Sequence, residues 1–192
     1  RRFALERVTS SVTRNVFAHA VALGAPSVPP PIKRFYAWRH LIRRSFHEGI
    51  LFVKGILYED FPWWSEVMLR NPQVTITQLP LYYYFPNPAS IDMGSTEIRK
   101  IHNWLLGLKY AWQLYEARAS AEQRALWSQQ CKWSVINHGI ARKVERVSDR
   151  AARQALRAEM AAQWELGVFS DPPNAKMKRV QQRVSHFINQ PN

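Results

Sequence analysis

From Thr96 onward, apolar side chains recur every three or four residues, and this period commits the second half of the chain to helices. Ile98, Ile101, Leu105, Leu108, Trp112 and Tyr115 form the seam of one long amphipathic helix. Leu126, Trp133, Ile136, Ile140, Val144 and Val147 repeat the signal, and Leu156, Met160 and Trp164 mark a third helix. "SDPPN" at 170–174 interrupts the chain, after which Met177, Val180, Val184 and Phe187 form one side of a short basic helix. No repeat of fixed period is present.

The first half obeys a different period. Phe3, Val8, Val12, Val16 and Ala20 predict a helix over 3–23 that stops at Gly24 and gives way to the connector "APSVPPP" at 25–31. "FYAWRHLIRRSF" at 35–46 places Trp38, Leu41 and Ile42 on one face of a short helix. "ILFVKGILY" at 50–58 is apolar and β-favouring, and predicts one strand or two short ones meeting at Lys54-Gly55. A helix over 61–70 follows, with Pro62 tolerated in its first turn. "QVTITQLPLYYYF" at 73–85 alternates as a half-buried strand, and Pro80 places its second part at an edge or bend. The expected fold is therefore mixed α/β and predominantly helical: a small sheet within 1–95 and a helical extension over 96–192.

With 192 residues there is room for a full core. Eight tryptophans and an aromatic share of 12% exceed what a core of that size needs, so some of these rings are expected at a binding surface. The net charge of +13 calls for an anionic partner: nucleic acid, an acidic lipid surface or a phosphorylated substrate. No apolar run approaches the roughly 18 residues of a membrane span, and the Arg-rich start lacks the features of a secretory signal. The lone Cys131 excludes an internal disulfide, and no Cys/His set of zinc type is present. A chain that starts at Arg1 and not Met is expected to be processed or part of something longer.

Glu59-Asp60 is the pair that carries chemistry. Asp60 fits a helix cap, its carboxylate accepting N–H groups of the next turn. Both residues also follow an apolar stretch of strand type, the position where α/β proteins place ligand groups, and the two readings are compatible.

"AWRHLIRRSFHEGILFVKGILYEDFPWW" at 37–64 resembles the C-terminal half of the catalytic domain of bacterial family 2 glycosyltransferases of the GT-A fold. The shared pattern is a tryptophan, a polar pair, a hydrophobic-aromatic pair and two bases, then a Phe-x-x-Gly stretch into Glu-Asp. "LPLYYYFPNPASI" at 79–91 is similar to a later strand of that family, so the resemblance covers roughly 34–91. Arg39 and His40 stand where the family commonly has Asn and Lys, and Phe85 where it has Arg. The family's nucleotide-binding half and its Asp-x-Asp metal motif lie upstream of the matched region, and no Asp-x-Asp occurs in this chain.

The resemblance implies an inverting transferase acting in cell-surface polysaccharide or glycan synthesis, with a nucleotide-sugar donor and a glycan or lipid-linked acceptor. It implies Asp60 as general base on the acceptor hydroxyl, with Glu59 orienting it or bonding the acceptor, and a divalent ion, Mg or Mn, whose ligands are not in this chain. It places such an enzyme in the cytoplasm or on the inner face of the membrane.

Trp38, Trp63 and Trp64 have faces suited to sugar rings or, equally, to a core, and Arg39, Tyr84 and Ser90 complete the expected acceptor contacts. "KMKR" at 176–179 heads a helix that fits either an anionic membrane surface or the protein's own core. The rival function is a non-catalytic basic helical module that binds nucleic acid or a partner protein.

Overall fold

The computed structural model describes residues 19–20, 35–73, 85, 87 and 89–190. The rest of the helix expected over 3–23, the connector at 25–31 and the strand expected over 74–84, with Tyr84, lie outside them. The described part is predominantly helical. Its β pairing is a two-residue parallel bridge between β1 (His19–Ala20) and β2 (His40–Leu41), too short to make a sheet.

The helices are α1 (Arg44–His47), α2 (Asp60–Leu69), α3 (Ile91–Gly94), α4 (Glu97–Arg118), α5 (Ala121–Trp127), α6 (Trp133–Val135), α7 (Arg150–Glu165) and α8 (Ala175–Asn189). Their starts are written locally. Thr96, Asp149 and Asn174 each accept a backbone N–H three residues on, and Ser120 forms a reciprocal capping box with Gln123.

From Ala121 to Ala141 the chain is one helical rod whose turns widen twice, at Ser128–Lys132 and Ile136–Ala141, into π-helix. The seam predicted over 126–147 is thus present but not regular. Trp127, Cys131, Trp133, Ile136 and Ile140 are all buried, and wide turns let one rod bury that many large groups.

The core lies where this rod and α4 meet α2 on one side and α7 and α8 on the other. Phe61, Trp64 and Val67 of α2 pack with Ile101, Leu105 and Leu108 of α4, and Met160, Val184 and Phe187 close the far end. One cluster therefore spans residues on both sides of position 95. Ser65 ties three elements together: its hydroxyl donates to Phe61 O at 2.8 Å and accepts Trp127 Nε1–H at 3.0 Å, while its carbonyl accepts the Tyr115 hydroxyl at 3.1 Å.

Two expectations are corrected. Residues 51–58 form no strand: Gly49, Gly55 and Tyr58 adopt positive φ, which breaks an extended run, and no described segment offers them a ladder. The segment is held by its ends instead, with Arg70 donating to the Phe46 and Glu48 carbonyls and Leu57 N–H donating to Asn103 Oδ1 at 2.7 Å. The helix expected over 35–46 is a 3-10 turn at Ala37–Arg39 followed by the single turn of α1, and Leu41 is exposed. Aromatic stacking within 35–40 wins over the helical period there.

Candidate functional site

Tyr36, Trp38 and Arg39 make one stacked unit. The Tyr36 and Trp38 rings lie 5.6 Å apart and 20° from parallel, and the buried Arg39 guanidinium sits 4.6 Å above the Trp38 ring. His40 Nδ1–H donates to the Tyr36 carbonyl at 2.9 Å, and its ring stacks on Trp64 at 3.9 Å, which fastens this turn to α2.

The unit forms one wall of a cleft of about 970 Å³. Tyr58, Lys100 and Trp104 line a second wall, the widened rod contributes Gln129, Trp133, Ser134, Asn137 and His138, and Lys143, Asn174 and Lys176 close the third side. The floor is rigid. Trp104 stacks on Tyr58 at 3.9 Å and 5°, and meets Phe35 edge-on at 5.5 Å. It fits because residue 139 is glycine: a Cβ there would lie 2.7 Å from the Trp104 ring.

Four permanent cations border the cleft, and none of the described residues that line it is a carboxylate. Glu97, at its rim, is shared between Lys143 at 3.2 Å and Lys100 at 3.6 Å. Burial alone would raise the Glu97 carboxyl, but Lys143 and then Lys100 outweigh it and hold it below its ordinary value. His138 is pushed down by burial and then by Arg142 and Lys176, so it is neutral at pH 7 and able to donate or accept a hydrogen bond.

Asp60 lies behind the aromatic wall, in the first turn of α2. It does not cap the helix: Glu59 occupies the flanking position and neither carboxylate makes a capping bond, which corrects the structural reading of the pair. The Asp60 carboxylate turns back to accept a hydrogen bond from the backbone of Ala37, between Tyr36 and Trp38. Burial, reinforced by Glu59, raises its pKa to about 6, and the Ala37 bond only partly offsets this. Tyr58, immediately before the pair, is held at φ 62, a conformation that costs a bulky residue about 1–3 kcal/mol and collects at functional sites.

Of the residues expected at a site, Trp38 and Arg39 line the cleft and Asp60 stands behind it. Trp63 and Trp64 are buried in the core, the first stacked on Phe52 and the second on His40. Ser90 accepts the Met93 N–H at the start of α3. Sequence reasoning passed over Tyr58, Lys100, Trp104, His138 and Lys143, which lie up to 85 positions apart and share no motif. Lys176 belongs to the "KMKR" run, whose helix fits by its sequence either an anionic membrane surface or the protein's own core; its apolar side, Val180, Val184 and Phe187, is buried in that core.

Among the described residues no three His, Cys, Asp or Glu side chains are placed to hold a metal ion. No described helix is long and apolar enough to cross a membrane. No protein-family model, curated protein or solved structure matches the chain.

Proposed function

We propose that the chain is the acceptor side of an inverting nucleotide-sugar glycosyltransferase in which Asp60 takes the proton from the attacking hydroxyl. The observation that carries this reading is the environment of Asp60: a carboxylate half-buried beside a strained Tyr58, with its pKa raised to about 6, behind the Tyr36–Arg39 wall of an aromatic and cationic cleft. A base works best when its pKa approaches the working pH, and an ordinary surface Asp, near 3.9, is weaker than that.

In the transfer, the acceptor oxygen forms a bond to the anomeric carbon as the bond from that carbon to the diphosphate breaks on the opposite face. The hydroxyl proton passes to an Asp60 carboxylate oxygen. The Ala37 bond keeps the carboxylate oriented, and burial, reinforced by Glu59, keeps its affinity for the proton high. Large apolar side chains exposed on the surface concentrate at 41–93 (Leu41, Leu51, Phe52, Phe85, Ile91 and Met93), the part that in a GT-A enzyme belongs to the catalytic domain. A small GT-A-like sheet completed by 74–84 and by a nucleotide-binding half belongs to the same proposal.

The test is sugar transfer by the full-length protein with a panel of nucleotide-sugars, wild type against Asp60→Asn. Turnover is expected to fall by roughly 10²- to 10⁴-fold with donor affinity nearly unchanged. Near-normal turnover in a folded Asp60→Asn protein removes the reading. The cleft's charge favours the rival, a nucleic-acid module, only if random double-stranded DNA binds tightly at moderate salt.

A further inference from the structure

We infer that the pocket enclosed by α7, α8 and the turn at Val144–Arg146 is a binding site for a phosphate ester, the chemistry that a phospholipid headgroup and a small soluble phosphate share. The pocket has a volume of about 350 Å³ and has no described lining residue in common with the cleft beside Trp38. It does not depend on the transferase reading.

Three arginines converge there. Arg183 of α8 donates from Nε and Nη2 to Glu145 Oε1, at 3.1 and 2.6 Å, and from Nη2 to the Ala141 carbonyl at 3.3 Å. Arg153 of α7 reaches the same turn and donates from Nη1 to the Val144 and Val147 carbonyls, at 3.5 and 3.3 Å. Arg179, one helical turn before Arg183, adds the third guanidinium. Glu145 is the one carboxylate in the described lining, and Arg183 already pairs with it. The partners of Arg153 are neutral, the two carbonyls and Gln190 Oε1 at 3.1 Å, and Arg179 forms no ion pair among the described residues. Like charges held together this way repel until an anion sits between them.

The donors that remain suit phosphate. A guanidinium carries five N–H groups, and the Nη1 group of Arg183 takes no part in its bonds to Glu145 and Ala141. Arg153 is fixed in place by Gln190 and by the Phe187 ring, 5.1 Å from its guanidinium, so its direction is set before a ligand arrives. Guanidinium forks on separate segments answer a tetrahedral anion, whose oxygens point several ways, better than a planar carboxylate. Gln182 and His186 also line the pocket and can pair with hydroxyls of the esterified alcohol. Its volume accommodates a phosphate with a small polyol. Phe187 is buried beneath the Arg153 and Arg157 guanidiniums, so it supports charge and is no platform for a nucleobase. The apolar side of α8 is in the core, so a lipid would be met through its headgroup alone.

The full-length protein is tested by calorimetry with glycerol 3-phosphate and by co-sedimentation with phosphatidylcholine vesicles containing phosphatidic acid, which carries the same ester; plain phosphatidylcholine vesicles are the blank. At least one ester probe is expected to bind, glycerol 3-phosphate at about 1 mM or tighter. Arg179→Gln should weaken binding about tenfold, and Gln182→Glu, which places a carboxylate on the lining, at least as much. Both residues are exposed and form no hydrogen bond among the described residues, so the fold is kept. Lys178→Gln removes an exposed charge next to Arg179 but outside the lining, and should bind as the wild type does.

Binding of the vesicles, with that pattern of variants, assigns the phosphate to a lipid headgroup. Binding of glycerol 3-phosphate without the vesicles assigns it to a soluble ester, and either result supports the site. The site is refuted if neither probe binds the wild type, if Arg179→Gln and Gln182→Glu bind as the wild type does, or if Lys178→Gln loses as much as Arg179→Gln. Random duplex DNA that binds and is not displaced by glycerol 3-phosphate would also overturn it.

Discussion

The Lys132 ammonium donates to the Ser170 carbonyl at 2.7 Å, inside a box formed by the Trp112, Trp127 and Trp133 rings. Ser128 Oγ and Trp133 Nε1 donate to the neighbouring Asp171 carbonyl, both at 2.9 Å, with Asp171 itself at φ 56. The first wide turn of the rod thereby holds the loop that precedes α8, and the start of α8 is the third side of the cleft.

Burial lowers the Lys132 pKa to about 8, against a partial upward pull from Asp171 and Glu116. Between about 8 and the ordinary value of 10.5 the unfolded chain holds a proton that the folded chain has released, so this group adds stability as pH rises through that window. The Cys131 thiol, raised to about 12 by burial, acts in the opposite direction above its ordinary value. Lys132→Met isolates the first effect: the stability of the wild type relative to the variant should grow between pH 7.5 and 10 by on the order of 3 kcal/mol. Parallel Tm curves for the two proteins across that range would rule it out.

For Asp60 the sign is reversed. Its folded pKa of about 6 lies above the ordinary 3.8, so the folded protein loses stability as pH rises from about 4 to 6, and at pH 7 the burial of the ionised group is fully opposed to folding. Asp60→Asn keeps an acceptor for the Ala37 bond and removes the charge. The variant should melt no lower than the wild type at pH 7 and show a flatter Tm profile from pH 4 to 6. A clear loss of Tm at pH 7 would mean that the carboxylate stabilises the start of α2.

Gly139→Ala and Gly107→Ala form a contrasting pair. At Gly139 a methyl would stand 2.7–2.9 Å from three atoms of the Trp104 indole, which Tyr58 and Phe35 prevent from withdrawing. Overpacking of this kind costs about 1–3 kcal/mol. At Gly107, inside α4, the nearest atoms belong to Phe61 and Pro62 at 3.7 Å, an ordinary contact. Alanine there should be neutral or stabilising by up to about 1 kcal/mol, because it lowers the entropy of the unfolded chain. Denaturant midpoints for the two variants read both effects.

Ser65→Ala removes the acceptor of the buried Trp127 N–H. Leaving that donor unsatisfied costs about 1–3 kcal/mol, far more than the small change in volume suggests. Urea unfolding should show the loss with an unchanged slope, and a variant as stable as the wild type would show that Trp127 finds another acceptor.

Much of the helical half was legible because its signals are local. The seams of α4, α7 and α8 depend on residues three or four positions apart, and the structure keeps them. The run 50–58 misled because apolar, β-branched residues promote a strand only where a neighbouring ladder exists, and here Gly49, Gly55 and Tyr58 turn the chain away.

The site divides along the same line. The sequence by itself singled out Asp60, Trp38 and Arg39, whose spacing is a short-range pattern, and it counted Trp63 and Trp64 with them, although the core holds both. Tertiary structure alone raised Asp60's pKa, since burial and the Ala37 bond come from the folding of 35–40 onto α2. It alone brought Lys100, Lys143 and Lys176 around one cleft whose described lining holds no carboxylate. Periodicity assigns a residue to a face of its own helix, but which faces meet depends on contacts between residues far apart in the chain, and charge convergence is a property of that meeting.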